Sequence, residues 1–585
     1  MENHFIAKTF HDIADLLEIK GENHFRVRSY RNAAQVIEGM AEPIEQMASE
    51  NDGQIESIPG IGKSLHEKIV EIVTTGVCGF KGELLKELPE GLLDILQLQG
   101  VGPKKAQLLY RSLGVASVDD LYQAVKAHRL RNLPGMGEKS EAKILKAIED
   151  LKKREGRFRI GRACSWATGY MDYLKGIPGI LEVSIAGSLS RWRESIGDID
   201  ILITCDDGLS EREGGGEEVM GRITAYPEVV DILASGDTKA SVVLRSGIQV
   251  DLRLLDRKSF GAALLYFTGS KGHNIALRER AKRMGLKVNE YGVFREGDGS
   301  RVAGESEGEL YRAIGLPWIP PELRERRGEI EAAIDGSLPA LVEAEDIRGD
   351  LHMHTRASDG GATIEEMAEA AMARGYEYIA ITDHSKSLTV AHGLDEARLL
   401  RQMDEIEGVN EKFKERGAEF TILKGMEVDI KSDGSLDLDD ELLGRLDVVV
   451  AAIHSKFTME ADEMTERILT AMSSGFVHIL AHPTGRIVEG RSPYPVDMRR
   501  LMEGAKRERV ILELNACPDR LDLNDVNLRL AKEIGVMVAI STDSHTPRSL
   551  ANIAFGVHTA RRGWLEKEDV LNTRPLSELL RLLER

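Results

Sequence analysis

Residues 186–202 read AGSLSRWRESIGDIDIL. An apolar run, Val183 to Ala186, ends in the pair Gly187-Ser188. Gly197 then leads Asp198 and Asp200 through a second apolar run, Ile196 to Ile203. Side chains two apart on a strand share a face. Asp198 and Asp200 therefore stand side by side, with Ile199 and Ile201 turned into a core. Adjacent carboxylates repel, and one is pushed to keep its proton unless a cation intervenes. Paired divalent ions about 3.5–4 Å apart are the usual device for in-line displacement at phosphorus. The Gly-Ser turn leaves backbone N–H groups free for phosphate oxygens. An edge strand with two solvated aspartates has the same Asp-x-Asp spacing. The turn and the intervening arginines favour the metal site.

The stretch also resembles a known signature. Gly187-Ser188, Arg191, Glu194 and Gly197-Asp198-Ile199-Asp200 look like the nucleotidyltransferase motif of the family X DNA polymerases. That resemblance implies a third aspartate from a neighbouring strand, and QVDLRLL (249–255) supplies Asp251. It implies Mg²⁺ on the three aspartates, with Ser188 and Arg191 on a nucleotide triphosphate. One departure is Ser190, which stands where the family has the first of two adjacent arginines. Residues 261–294, GAALLYFTGSKGHNIALRERAKRMGLKVNEYGVF, resemble the thumb of the same enzymes. By that likeness Tyr266 and Phe267 face the incoming sugar and Gly269 bends the chain. Asn274 and Arg278 contact the nascent pair and template in the minor groove. Lys271 replaces an acidic residue of polymerase beta.

At 585 residues the chain is too long for one core. Its four cysteines are scattered singly, which fits a reducing cytosol. The N-terminus lacks the apolar segment of a signal peptide. No run approaches the roughly 18 apolar residues of a membrane span. A cytoplasmic protein without membrane contact is expected. The net charge of −20 is uneven: residues 349–585 hold 30 basic and 42 acidic side chains, or −12. Nucleic-acid affinity must then come from local basic patches.

Such patches have a candidate scaffold. Three Gly-x-Gly turns recur: Gly60-Ile61-Gly62, Gly100-Val101-Gly102 and Gly135-Met136-Gly137. Amphipathic stretches follow each, KSLHEKIVEIV, PKKAQLLYRSL and EKSEAKILKAI. This is the helix-hairpin-helix pattern. Its glycines let backbone N–H groups reach a phosphate at a helix N-terminus, assisted by Lys63 and Lys104, without reading bases. The first hairpin resembles the lyase domain of DNA polymerase beta, and Lys68 falls at that family's Schiff-base lysine. The alternative is a solvated lysine beside phosphate. Residues 206–216, DDGLSEREGGG, read as a flexible loop.

The last third repeats one grammar: an apolar run, then a metal-ligand type of residue. RGDLHMHTRASDG supplies His352, His354 and Asp359, and YIAITDHS supplies His384. Glu427, His454, His482, Glu513, Asp543 and His545 follow in the same way. Helical segments alternate, so the polar residues fall at strand C-termini, the layout of a barrel enzyme. This set resembles the polymerase and histidinol phosphatase (PHP) domain, a trinuclear phosphoesterase. The resemblance implies one ion on His352, His354, Glu427 and Asp543. A second would take Glu427, His454 and His482, and a third Asp359, His384 and His545, with Glu427 bridging the first two. Mixed imidazole and carboxylate ligation suits Zn²⁺, Mn²⁺ or Fe²⁺ and discriminates poorly among them, with Zn²⁺ or Mn²⁺ expected.

The expected architecture is multidomain. An all-α lyase-like helical region (1–88) precedes helix-hairpin-helix fingers (89–155). An α+β nucleotidyltransferase palm (156–257) and a thumb (258–318) follow. A linker (319–347) leads to a C-terminal α/β barrel of distorted (β/α)7 type (348–585). The order resembles the family X DNA polymerases of bacteria and archaea. It implies a monomer that fills gaps in nicked or gapped double-stranded DNA with deoxynucleoside triphosphates. A metal-dependent 3′–5′ exonuclease is implied too, with abasic-site endonuclease or 3′-phosphatase activity as further options. Two rivals stay open: a phosphoesterase whose polymerase half only holds DNA, and a non-catalytic DNA-end scaffold.

Overall fold

A computed structural model describes residues 3–38, 44, 55, 61–75, 77–89, 91–96, 98, 101–154, 156–206 and 215–584. Gly60, Gly100 and most of the loop expected over 206–216 lie outside the described residues. The chain divides into two compact units, 1–155 and 156–585. Among the described residues no helix is long and apolar enough to cross a membrane.

The first unit is helical. Phe10, Ile13 and Leu17 of helix Asn3–Lys20 join Leu92, Ala106, Leu109 and Ile148 in one core. Gln107 Nε2 also donates to Ile19 O at 2.7 Å. The lyase-like and fingers regions thus share a single core. Gly102 caps helix Pro103–Leu113, with the proline at its start, where a missing N–H costs nothing.

The second unit begins with a five-stranded sheet in the order Ile180–Ala186, Asp198–Cys205, Gln249–Leu255, Lys239–Leu244, Val229–Ser235. Strand Asp198–Cys205 runs parallel to Gln249–Leu255, with Asp200 in register with Asp251. Alternation sets the faces, since Ile199 and Ile201 are fully buried while Asp198 is exposed. Helix Phe260–Thr268 packs Phe260 and Ala263 on Ala186 and Leu202 of this sheet. A three-stranded antiparallel sheet follows: Leu286–Asn289, Gly292–Arg295 and Arg301–Ala303.

Residues 319–347, expected as a linker, are packed instead. Leu323, Ile330 and Ala333 enter the thumb core with Leu277 and Tyr311. Arg324 is wholly buried, donates to Ile319 O and forks onto both oxygens of Glu307 at 2.6 and 2.9 Å. A guanidinium can be buried when its planar fork is paired in this way.

Seven parallel strands then run in sequence order from Gly349–Asp350 to Val538–Ser541. Runs such as YIAI (378–381) and VVVAA (448–452) are buried along their whole length, as strands covered on both faces must be. A parallel bridge between Met353 and Ser544 links the ends of the first and last strands, so the sheet nearly closes into a barrel.

Candidate catalytic and metal sites

On the palm sheet the three expected aspartates meet. Burial comes first, and repulsion from Asp198 and Asp251 second, in raising the Asp200 carboxyl to about 7. Carboxylates gathered this closely are donors that suit a divalent cation. Asp251 Oδ1 accepts from Ser241 Oγ at 2.5 Å and Gln249 Nε2 at 3.0 Å. Gly187 has φ +68°, and a Cβ there would fall 2.1 Å from Asp200 Oδ2. Only glycine lets the turn lie this close to the carboxylate.

Arg191 joins that turn to the thumb. Its Nη1 donates to Gly187 O at 3.1 Å and to Thr268 O, and its Nε pairs with Glu325 Oε1 at 3.1 Å. Gly269, at φ +72°, lies against Nη1. Ser188 and Gly197 flank the aspartates in partly buried positions. Tyr266 is exposed and meets Phe267 edge-on at 5.1 Å, while Arg253 covers the Phe267 ring at 4.0 Å. Phe267 also packs, partly buried, against the cluster of Ala186, Leu202, Phe260 and Ala263. Asn274 Nδ2 donates to Tyr266 O at 2.7 Å, and Arg278 Nε donates to Asn274 O at 3.3 Å.

In the first unit, a Cβ on Gly62, Gly102, Gly135 or Gly137 would meet nothing within 4 Å. These turns are open, so their N–H groups can be approached closely. Lys63 and Lys104 are exposed beside them. The third hairpin differs, because Glu141 in the first turn of its helix is held by His128 at 2.8 Å and Arg131 at 2.7 Å. An acid there competes with phosphate for the positive helix end. Lys68 Nζ donates to Ser64 O and Oγ, both at 3.2 Å, and lies 5.4 Å from the Phe80 ring. Arg26 covers the same ring at 4.8 Å, and Tyr30 stacks with it.

The barrel mouth gathers all nine expected ligands. Three overlapping groups each bring ligand atoms within 4.8 Å of one another: His354, Asp359, His384 and His545; His352, His354 and Asp543; His384, Glu427 and His454. His482 Nε2 lies 3.0 Å from Glu427 Oε1. His354 and His384 each belong to two groups.

Among the described residues, the buried atoms His354 Nδ1, His384 Nδ1, His482 Nδ1 and Glu427 Oε2 have no hydrogen-bond partner. Glu427 Oε2 is 2.7 Å from His384 Nδ1, yet the two are not aligned as donor and acceptor. Unpaired buried polar atoms are costly, and converging lone pairs are what a cation takes. The residues therefore fit a metal cluster.

The same histidines and carboxylates set one another's charge. Burial alone would raise Glu427, but His384, His454 and His352 hold it well below the usual carboxylate range. Burial opposes charge on His384 and His454, and Glu427 overcomes it, raising them to about 10 and about 9. Burial, with His545 and His384 nearby, lowers His354 to about 4.

A second ring of residues was not foreseen in these roles. Glu513 accepts from His352 Nδ1 and from His482 N, each at 2.7 Å. It lies behind the ligands, fully buried. Asp429 accepts from His454 Nδ1 at 2.5 Å. Such carboxylates fix an imidazole's tautomer and orientation. Asp383 accepts from Thr355 and Gln402 beneath the Asp359 loop. Arg520 Nε lies 3.7 Å from Asp543 Oδ2 at the cluster's edge. The only sequence cue for the second ring is that carboxylates also punctuate strand ends, which does not separate ligand from support.

Comparison with known proteins first sets the class. A DNA polymerase beta thumb matches residues 263–325 and a PHP domain matches 350–516. A helix-hairpin-helix domain matches 1–78, and a SAM-like helix-hairpin-helix tandem matches 92–150. Nucleotidyltransferase and phosphoesterase parts thus share one chain. A DNA polymerase/3′-5′ exonuclease PolX of Bacillus subtilis (strain 168) is 41% identical over 99% of both chains. The chain belongs to the bacterial family X DNA polymerases that carry a C-terminal PHP domain. DNA polymerase lambda of Rattus norvegicus is 25% identical, covering 55% of this chain and 56% of its own. A probable phosphatase of Citrobacter koseri is 32% identical over 40% of this chain and 93% of its own.

Proposed function

We propose that the protein fills short gaps in DNA during repair and that its barrel trims DNA 3′ ends as a 3′–5′ exonuclease. The observation that carries this reading is the register of Asp200 with Asp251 beside the Gly187 turn, with Arg191 bound to that turn's carbonyl. In nucleotide addition the primer 3′-oxygen bonds to the α-phosphorus and pyrophosphate leaves. Ser188 and Arg191 hold the triphosphate. Asp251 Oδ1 is occupied by Ser241 and Gln249, and its other oxygen accepts or relays the 3′-hydroxyl proton. Tyr266 and Phe267 crowd the 2′ position. Bound Mg²⁺ would neutralise the aspartates and the phosphates. The open hairpins, with Lys63 and Lys104, hold the duplex by its phosphates.

In the barrel, His352, His354, Glu427 and Asp543 form one ligand set; Glu427, His454 and His482 a second; Asp359, His384 and His545 a third. Zn²⁺ or Mn²⁺ suits these donors and would supply Lewis acidity toward a phosphodiester. Arg520 would pair with a phosphate oxygen. The protein would act as a cytoplasmic monomer.

One labelled deoxynucleotide offered on a gapped duplex tests this reading. Extension is expected. Shortening alone would favour a phosphoesterase with a silent polymerase half, and a mobility shift alone a DNA-end scaffold. Run with ribonucleotides, the assay should give much weaker extension, and equal use of both sugars would remove the role given to Tyr266 and Phe267.

Lys68 carries the further option of a 5′-deoxyribose phosphate lyase. Borohydride should then trap a covalent adduct with a 5′-deoxyribose phosphate end, and Lys68→Ala should lose it. An adduct of undiminished yield in the variant would move the nucleophile elsewhere. No adduct in the wild type would leave Lys68 as a DNA contact.

A further inference from the structure

Arg191 does not stand alone. Its partner Glu325 has a side chain only 9% exposed and is shared by three arginines. Arg191 Nε reaches Oε1 at 3.1 Å, Arg562 Nη1 reaches Oε1 at 3.0 Å, and Arg193 lies 3.5 Å from Oε2. Arg562 is the last residue of helix Ile553–Arg562 in the barrel domain. It also donates to the backbone carbonyl of Arg191 at 2.6 Å and pairs with Asp525 at 2.6 Å. Asp525 in turn binds Arg327 at 2.9 Å. The same helix grips the next residue: His558 stacks on Trp192 at 3.6 Å with planes 8° apart, and Phe555 meets that ring at 5.8 Å. Phe555, His558 and Arg562 are spaced three and four apart, so they lie on one face.

We infer that Arg562 of the barrel domain is a positioning residue for nucleotide addition, holding the Arg191 loop and neutralising Glu325. The inference rests on the reading of Arg191 as the residue that takes the triphosphate. To do so, Arg191 must relax its bond to Glu325. A buried carboxylate stripped of its partner is strongly unfavourable. Arg562, with a side chain 6% exposed, remains to satisfy Glu325 when Arg191 turns away. Without Arg562 that duty falls on Arg191 and on Arg193, which is 41% exposed and so better screened. Arg191 is then retained by Glu325, and the nucleotide must compete for it. The barrel domain thereby sets the nucleotide affinity of the polymerase site through a charge rather than through its own chemistry.

Single-nucleotide addition on a gapped duplex by the full chain tests this. For Arg562→Met the KM for the nucleotide should rise about tenfold, within the ~5–150-fold range of coupling between linked groups, with kcat and exonuclease rate kept. In a Glu325→Gln background Arg562→Met should change KM little, because no buried charge is left to compensate. Should Arg562→Met fail to fold, Arg562→Gln makes the same comparison, since it also removes the charge while keeping an N–H for the Arg191 carbonyl that Arg562 Nη1 serves. An unchanged KM, or an equal rise with and without Glu325, overturns the inference. So does a parallel loss of exonuclease in both Arg562 variants, which would mean structural support only. Arg191→Met is the control for the underlying reading. If it leaves KM unchanged, that reading fails. If it raises KM while Arg562→Met does not, only the present inference fails.

Discussion

Glu427→Gln is expected to abolish the exonuclease and strip most of the bound metal while leaving nucleotide addition largely intact. Glu427 is buried at the barrel mouth with His352, His354, His384, His454 and His482 all within 3.7 Å of its oxygens. Imidazoles are neutral as ligands and cannot offset repulsion between neighbouring dications, whereas a carboxylate between them can. Glutamine keeps the shape and removes the charge. Exonuclease activity should fall by more than the ~10–100-fold typical of losing an outer support. Glu513→Gln, which disturbs the support behind His352 and His482 and the Asn515 amide, should stay within that range. His384→Ala should lose fewer ions than Glu427→Gln. Metal analysis of the purified variants decides the matter, and a full complement of ions in Glu427→Gln would sink the bridging role.

Asp200→Ala and Asp198→Ala should each reduce nucleotide addition by about 1,000-fold or more, roughly 4 kcal/mol of transition-state stabilisation, and leave the exonuclease intact. The physical basis is separation. The aspartates line the palm sheet, and the ligands of the barrel mouth belong to a different sheet. Asp200 carries the larger expectation, because it abuts both the Gly187 turn and Asp251. Circular dichroism should show folded protein in both variants. Loss of both activities in a folded variant would contradict two independent sites.

Strand alternation in DIDIL (198–202) and in QVDLRLL (249–255) was readable as a face carrying aspartates, because side-chain direction repeats every two residues. The open Gly-x-Gly turns and the ligand residues ending buried strands were equally local patterns. Their chemistry follows from residue type and short spacing. Pairing across the fold is another matter. Nothing near Arg191 in the chain announces Arg562, 371 residues away, or Glu325, 134 residues away. Glu513 looks like any ligand at a strand end until His352 Nδ1, 161 residues distant, is seen to donate to it. The stretch 319–347, charged and proline-broken, reads as a linker, yet its apolar residues enter the thumb core and Arg324 is buried by its fork onto Glu307. Local periodicity tells which way a side chain points. Only packing decides which buried charge meets which, because desolvation makes each unpaired charge unfavourable and the fold must bring its partner from wherever in the chain it lies.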